Sequence, residues 1–135
     1  MKKSKIILLI FLSFSKNIIA QIKPAAVTDG AERKRIAAIM ERSLKDDLLG
    51  RWYPQCIDTD YGGFISTFTY QMKPTGSQDK MIVTQARHTW VNAKAALRYP
   101  DKPHYRRGAV IGFQFLADKM WDKQYGGFYE LVARS

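Results

Sequence analysis

A short glycine-containing motif occurs twice in this chain and constrains its fold more than any other feature. The first copy reads DTDYGGF at residues 58 to 64, and the second reads DKQYGGF at residues 122 to 128. In both copies an Asp opens the motif, a Tyr precedes two glycines, and a tryptophan-containing segment leads into it. Two copies with the same flanks indicate a structural unit that repeats along the chain.

The first 20 residues are typical of a secretory signal. MKKSK is basic, IILLIFLSF is an apolar run, and the small residue Ala20 offers a plausible cleavage point. The apolar run is too short for a membrane span, which needs about 20 residues. We therefore predict a signal peptide at 1–20, a linker at 21–30, and an exported protein, periplasmic or extracellular, without a stable membrane span after signal removal. An uncleaved N-terminal anchor is the alternative.

The chain is basic, with 22 Lys and Arg against 12 Asp and Glu and a formal net charge of +10. Part of that charge lies in the predicted signal, and the remaining basic residues are interspersed with acidic ones. This arrangement is typical of solvated helix faces, so we predict no nucleic-acid partner. A single cysteine, Cys56, excludes an internal disulfide and is either buried and inert or a free thiol.

Hydrophobic periodicity predicts three helices. The first runs from about Ala31 to Gly50 with Asp29 as its cap, the second covers 80–99, and the third runs from Asp101 or Pro103 to about Met120. We expect the second and third helices to bury one apolar stripe each. The stripe of the second comprises Ile82, Ala86, Trp90, Ala93 and Leu97, and that of the third comprises Tyr105, Ala109, Phe113, Leu116 and Met120.

Each glycine motif leads into a predicted strand, FISTFTY at 64–70 and FYELV at 128–132. The resulting order predicts helical hairpins that carry a glycine loop and a short β excursion at one end. Glycine pairs usually make turns. The neighbouring aromatic rings either pin the loops in place, which we favour, or form the floor of a sugar-binding cleft. These rings are Tyr61, Phe64, Tyr125 and Phe128.

Arg87 is the strongest candidate for a functional residue. It lies in the middle of the second helix beside apolar residues, where an arginine needs an anion, a polar ligand or a carboxylate partner. An ion pair with a neighbouring helix is the structural alternative. His88 is turned about 100° around the helix from Arg87, so the two do not easily point into one small site. His88 and His104 are each interpreted as structural, and the sequence contains no metal-binding or nucleotide-binding motif.

Three segments in order resemble the start of the N-acylglucosamine 2-epimerase family, which includes the cellobiose and mannobiose 2-epimerases. They are WYPQCIDTDYGGF, KMIVTQARHTWVNAKAAL and GFQFLADKMWDKQYGGFYE. The resemblance covers roughly residues 31 to 131. It implies an all-α fold, an (α/α)6 barrel or α/α toroid, of which residues 31–135 would form the first helical hairpins, with short β excursions in the glycine loops. It also implies that the chain is truncated.

The resemblance implies a sugar 2-epimerase or isomerase that works without a cofactor or metal. A histidine removes the C2 proton of an open-chain sugar to give an enediolate, and a second histidine returns a proton. In this family the arginine matched by Arg87 binds the oxygens of the substrate, and we place Tyr61 and Trp90 with it in the predicted substrate site. The catalytic histidines of the family lie beyond Ser135, and His88 and His104 do not match them. We therefore expect the chain to be inactive alone.

Two other functions remain open at this point. An α/α-toroid glycoside hydrolase would need a carboxylic acid with a raised pKa, for which Asp58, Asp60 and Asp122 are candidates by loop position. A non-catalytic carbohydrate-binding protein would bind a sugar without turnover. The particular sugar and the oligomeric state are not predicted.

Overall fold

The computed structural model describes residues 29–134. The predicted signal peptide and most of the predicted linker lie outside the described residues. Two compact units divide the chain within its first helix, between Ala37 and Ala38. In the part of the chain that is described, no helix has both the length and the apolar character needed to cross a membrane.

Helix α1 (Gly30–Ser43) begins as its sequence predicts. The backbone N–H of Glu32 donates to Oδ1 of Asp29 at 2.7 Å, so the predicted cap is confirmed. The helix then widens into a π-helical segment (Leu44–Leu49) and ends in a short helical turn, α2 (Gly50–Trp52). The helical path therefore continues two residues past the predicted end at Gly50.

Two further helices form an antiparallel hairpin. Helix α3 (Ile82–Arg98) stops just before Pro100, and helix α4 (Pro103–Phe115) opens on a proline at its first turn, where the missing N–H costs nothing. A second π-helical segment (Leu116–Met120) extends α4. These bounds confirm the predicted second and third helices, except that the first two residues of the second form a strand.

The predicted apolar stripe of α3 is wrong about which side is buried. Trp90 is 64% exposed and Leu97 is 80% exposed, whereas the buried residues of α3 are Gln85, Asn92 and Ala95. The neighbours of α3 within residues 29–134 pack on that mostly polar side. The side-chain amides of Gln85 and Asn92 donate hydrogen bonds to backbone carbonyl groups. Their N–H groups are therefore paired although this side of α3 is buried.

The stripe of α4 is confirmed in part. Tyr105 and Met120 are buried as predicted, but Phe113 is 66% exposed. Phe115 is buried instead. Two glycines on the buried side, Gly108 and Gly112, allow α4 to approach α3 closely.

The core lies where the end of the first helical path, the first glycine loop and the α3–α4 hairpin meet. It centres on Phe64 and Cys56, both fully buried. Burial raises the pKa of the Cys56 thiol to about 12, so the thiol is neutral and inert. Of the two interpretations of Cys56, the structure supports the buried one.

The predicted strand at 64–70 is wrong. Phe64 and Phe68 form only isolated bridges, with Ile57 and Pro74, and Tyr70 is 85% exposed. The sheet described here pairs β1 (Lys80–Met81) with β2 (Leu131–Val132), antiparallel, with Lys80 opposite Val132. The second predicted strand therefore exists but is reduced to two residues, because Phe128 instead bridges to Trp121.

Candidate functional site

The two glycine loops have the same backbone hydrogen bonds. In each loop the N–H of the Asp donates to the carbonyl of the second glycine, and the N–H of the first glycine donates to the Asp carbonyl, at 2.9–3.0 Å. In each, Oδ1 of the Asp accepts from the backbone N–H groups two and three residues later. The glycines have φ between 67° and 85°, a left-handed geometry that side chains disfavour. The repeat predicted from the sequence is therefore confirmed at the level of individual hydrogen bonds.

The carboxylate of Asp58 in the first loop is held by two cations. Lys80 Nζ donates to its Oδ2 at 2.6 Å, and Arg134 Nε donates to the same oxygen at 2.7 Å. The Asp58 and Lys80 side chains are each 1% exposed. Burial alone would raise the pKa of Asp58, but the hydrogen bonds from Arg134 and Lys80 outweigh it and lower the pKa to about 2. Asp58 is therefore an ionised structural anchor.

Gln85 of α3 holds the same loop through its backbone. The N–H of Phe64 donates to Oε1 of Gln85 at 2.8 Å, and Nε2 of Gln85 donates to the Phe64 carbonyl at 3.0 Å. Lys80 Nζ also donates to that carbonyl, at 2.9 Å. We call Lys80 and Gln85 together the clamp of the first loop, because they bind its carboxylate, its amide and its carbonyl.

These contacts argue against Asp58 and Asp122 as the general acid of a glycoside hydrolase. A general acid needs a raised pKa, whereas the pKa of Asp58 is about 2. Backbone hydrogen bonds from Tyr125 and Gln124 also lower the pKa of Asp122. Each of the two carboxylates accepts hydrogen bonds from backbone N–H groups of its own loop, as a capping carboxylate does.

An open groove of 360 Å³ runs between the first π-helical segment and α3. Its walls are mainly apolar, and both Arg87 and His88 line it. Both residues thus line one open groove, although the sequence predicted that they do not easily point into one small site. The side chains of Arg87 and His88 leave the helix about 100° apart. The arginine side chain is long enough to reach the groove from the exposed side of α3. Other groove residues include Leu44, Leu48, Trp52 and Val91.

His88 is held by aromatic neighbours at the bottom of this groove. Its Nδ1 shares a 2.7 Å hydrogen bond with the Tyr53 hydroxyl, and its ring stacks on Phe64 with centroids 4.9 Å apart. Burial lowers the pKa of His88, so the imidazole is neutral. His104 lies against Tyr105 in the first turn of α4, with ring centroids 4.1 Å apart. Both positions agree with the structural interpretation of the two histidines.

The three predicted substrate contacts do not all converge. Arg87 is exposed and forms no salt bridge within residues 29–134, so the alternative of an ion pair finds no support there. Trp90 is exposed one turn further along α3. Tyr61 lies elsewhere, beneath the Arg134 guanidinium at 4.5 Å and beside a separate cavity that Phe115 also lines. The assignment of all three to a substrate site stays a prediction.

Sequence reasoning missed the residues that organise the first loop. The sequence pattern predicts Lys80 as the start of a helix and gives no sign of a role for Gln85 or Arg134. The repeated motif is the one signal in the sequence that points to such residues. When a glycine loop is buried, its Asp carboxylate and its backbone groups need hydrogen-bond partners. The motif does not say which distant residues those partners are.

Comparisons with known proteins find similar sequences and folds. The cellobiose 2-epimerase of Bacteroides fragilis is 29% identical over 90 residues, which is 67% of this chain and 23% of that protein. The solved structure of cellobiose 2-epimerase from Spirochaeta thermophila matches with 29% identity and a TM-score of 0.70, over 80% of this chain and 26% of that one. A crystal structure of D-mannose isomerase matches with 25% identity and a TM-score of 0.64, over 71% of this chain and 24% of that one.

The chain thus spans about a quarter of the length of these relatives. No family model matches it. The shared fold is that of (α/α)6-barrel proteins, so the predicted fold class is confirmed for the part of a barrel that the chain provides.

Proposed function

We propose that this chain is part of a protein of the N-acylglucosamine 2-epimerase family and that it contributes a substrate-binding arginine to a sugar 2-epimerase or isomerase. The observation that carries the proposal is the combined likeness, in sequence and fold, to two cellobiose 2-epimerases and a D-mannose isomerase. The substrate is an aldose, an N-acyl hexosamine or a disaccharide.

Arg87 is the residue that the geometry best supports for this function. It is exposed on the middle of α3, lines an open groove, and forms no salt bridge with a carboxylate in residues 29–134. Its guanidinium carries a permanent positive charge and five donors, so it cannot act as a base. It binds sugar oxygens and stabilises the negative charge that develops on oxygen when the C2 proton leaves.

The proton transfers require other groups. His88 is packed among aromatic rings with its Nδ1 hydrogen-bonded, and His104 lies in the first turn of α4 against Tyr105. His88 lines the same groove as Arg87 but is held among these rings, and His104 lies outside that groove. We therefore propose that the chain alone does not exchange the C2 proton of cellobiose, and that the bases belong to other parts of a complete barrel.

The test replaces the matching quarter of Bacteroides fragilis cellobiose 2-epimerase with residues 29–134 of this chain. Incorporation of solvent deuterium at C2 of cellobiose is followed by NMR, with circular dichroism to establish that each protein is folded. We expect the folded chimera to be active and Arg87→Ala to lower kcat/KM by about 100-fold.

Arg98→Ala is the matched control on the same helix, since Arg98 is exposed and pairs with Glu41 at 3.0 Å. It should change kcat/KM by less than about twofold. A folded chimera without deuterium exchange would contradict the proposed function. Equal losses in the two variants would contradict the role of Arg87.

A further inference from the structure

We propose that the loop at residues 66–79 forms a second sugar-binding subsite, in which the ring of Tyr70 stacks on one sugar unit of a disaccharide while Arg87 binds the other unit. This role rests on the proposed function and deepens it, because it selects a disaccharide over a single sugar. It belongs to residues that the sequence predicts partly as a strand and that the structure places in a loop.

A cavity of 380 Å³ lies between this loop and the end of the first helical path. Its volume is in the range of small-molecule sites. Its lining combines aromatic rings, hydroxyl groups and the guanidinium of Arg51, a composition that suits the apolar ring face and the hydroxyl groups of a sugar. The rings are those of Trp52, Phe68 and Tyr70, and the hydroxyl groups are those of Ser66, Thr67 and Thr69.

Trp52 places this cavity next to the groove of Arg87, because its side chain lines both spaces. Its ring meets the Phe68 ring edge to face, with centroids 5.6 Å apart. It also lies beside the ring of His88 in the groove, with centroids 5.8 Å apart. A single indole therefore separates the two spaces, and the two units of one disaccharide can occupy them together.

Tyr70 offers an open surface for stacking. Its side chain is 85% exposed, yet contacts from Arg51 hold the residue in place. Arg51 Nη2 donates to the Tyr70 carbonyl at 3.1 Å, and the guanidinium lies 5.6 Å from the centroid of the Tyr70 ring. Because the ring is already positioned, a sugar that stacks on it loses less affinity to the cost of ordering a side chain.

Gln78 holds the base of the loop. Its Oε1 accepts from the N–H of Ser66 at 3.3 Å, and its Nε2 donates to the carbonyls of Thr67 and Thr75 at 2.8 and 2.7 Å. Near the tip, Met72 has a φ of 60°, which residues other than glycine adopt rarely and which is enriched at ligand sites. A fixed base with a strained tip is typical of a binding loop.

The test titrates the isotope-labelled full chain with cellobiose and, separately, with glucose, and follows its signals by NMR. We expect cellobiose to shift the amides of residues 66–72 and the indole N–H of Trp52. Glucose should bind about tenfold more weakly, because it fills one subsite only.

Three variants report on the stacking surface. Tyr70→Ala should weaken cellobiose binding by about tenfold, whereas Tyr70→Phe, which keeps the ring, should bind within about twofold of the original chain. Because Tyr70 is exposed, neither change disturbs the core. The matched control is Phe113→Ala, which removes an exposed ring from α4 and should leave cellobiose binding unchanged.

Three outcomes would overturn the inference. One is the absence of cellobiose-induced shifts in residues 66–72, including the case in which shifts are confined to the groove of Arg87. Another is equal affinity for cellobiose in Tyr70→Ala and the original chain. The third is glucose binding as tightly as cellobiose, which would mean a site for a single sugar. The proposed function is decided separately by deuterium exchange in the chimera, so an active chimera with any of these outcomes would keep that function and remove the subsite.

Discussion

Asp58 shows how one residue can anchor an entire loop. Its carboxylate is buried with Lys80, and its pKa of about 2 lies below the ordinary value of 3.8. A carboxyl group whose pKa is lower in the folded state stabilises the fold above the ordinary value, and this contribution is lost as pH falls through the folded value.

Asp58→Asn should therefore lower the free energy of unfolding by about 3 kcal/mol at neutral pH, because it leaves the Lys80 ammonium buried without its counter-ion. The difference in free energy of unfolding between the original chain and Asp58→Asn should shrink by about 2 kcal/mol as the pH falls from about 4 to about 2. Urea unfolding at a series of pH values measures this difference, with Asp118→Asn as the exposed control. A difference that stays constant over this range would show that Asp58 is not ionised in the fold.

Gly63 and Gly127 occupy equivalent positions, and comparing them separates backbone strain from crowding. Their φ values are 67° and 85°, so an alanine is strained at both. Only at Gly63 would the new methyl group also collide with Gln85 and Phe115. Gly127→Ala should cost about 1 kcal/mol, and Gly63→Ala should cost about 3 kcal/mol or more. Thermal unfolding of the two variants measures the gap, and equal losses would mean that the clamp does not pack against the first loop.

At the scale of elements, the close approach of α3 and α4 depends on the glycines of α4. A Cβ at Gly112 would clash with the Thr89 hydroxyl and the Phe64 ring. Gly112→Ala should therefore destabilise the chain by about 2 kcal/mol, although alanine favours helix more than glycine does. Gly30→Ala is the control, since nothing lies within 4 Å of that Cβ position. Chemical denaturation checks both, and stabilisation by Gly112→Ala would contradict the packing.

Element boundaries were well predicted because local signals set them. Asp29 caps α1, Pro103 opens α4, and the tyrosine before Pro100 ends α3, each through groups within a few residues. The strand at 64–70 was predicted wrongly, since alternating residues favour a strand only when a partner is available. Phe64 finds its hydrogen bonds with the Gln85 side chain instead.

At the scale of the whole molecule, the described residues expose large apolar side chains on several helices. Met40, Trp90, Leu97 and Phe113 are each 64% exposed or more. Large apolar side chains exposed to water favour association. We expect sedimentation velocity to show association of the chain with rising concentration.

The double variant Trp90→Ser with Leu97→Ser should weaken this association by about tenfold, which corresponds to the loss of about 1.4 kcal/mol of apolar contact. Lys94→Ser, on the same helix, is the control for a general effect of substitution. Association that is unchanged in the double variant would exclude the exposed side of α3 as the contact.

The sequence by itself determined the repeated loop, the helix bounds and the resemblance to a sugar epimerase family, because these depend on glycine geometry, end signals and residue order within short segments. Only the tertiary structure decided which side of α3 is buried, that Arg87 and His88 share a groove, and that Lys80, Gln85 and Arg134 hold the first loop. Each of these depends on which residues, distant in sequence, come together. Which face of a helix is buried depends on the elements that pack against it. The partners of the buried Asp58 carboxylate, Lys80 and Arg134, are distant in sequence and are identified only in the folded chain.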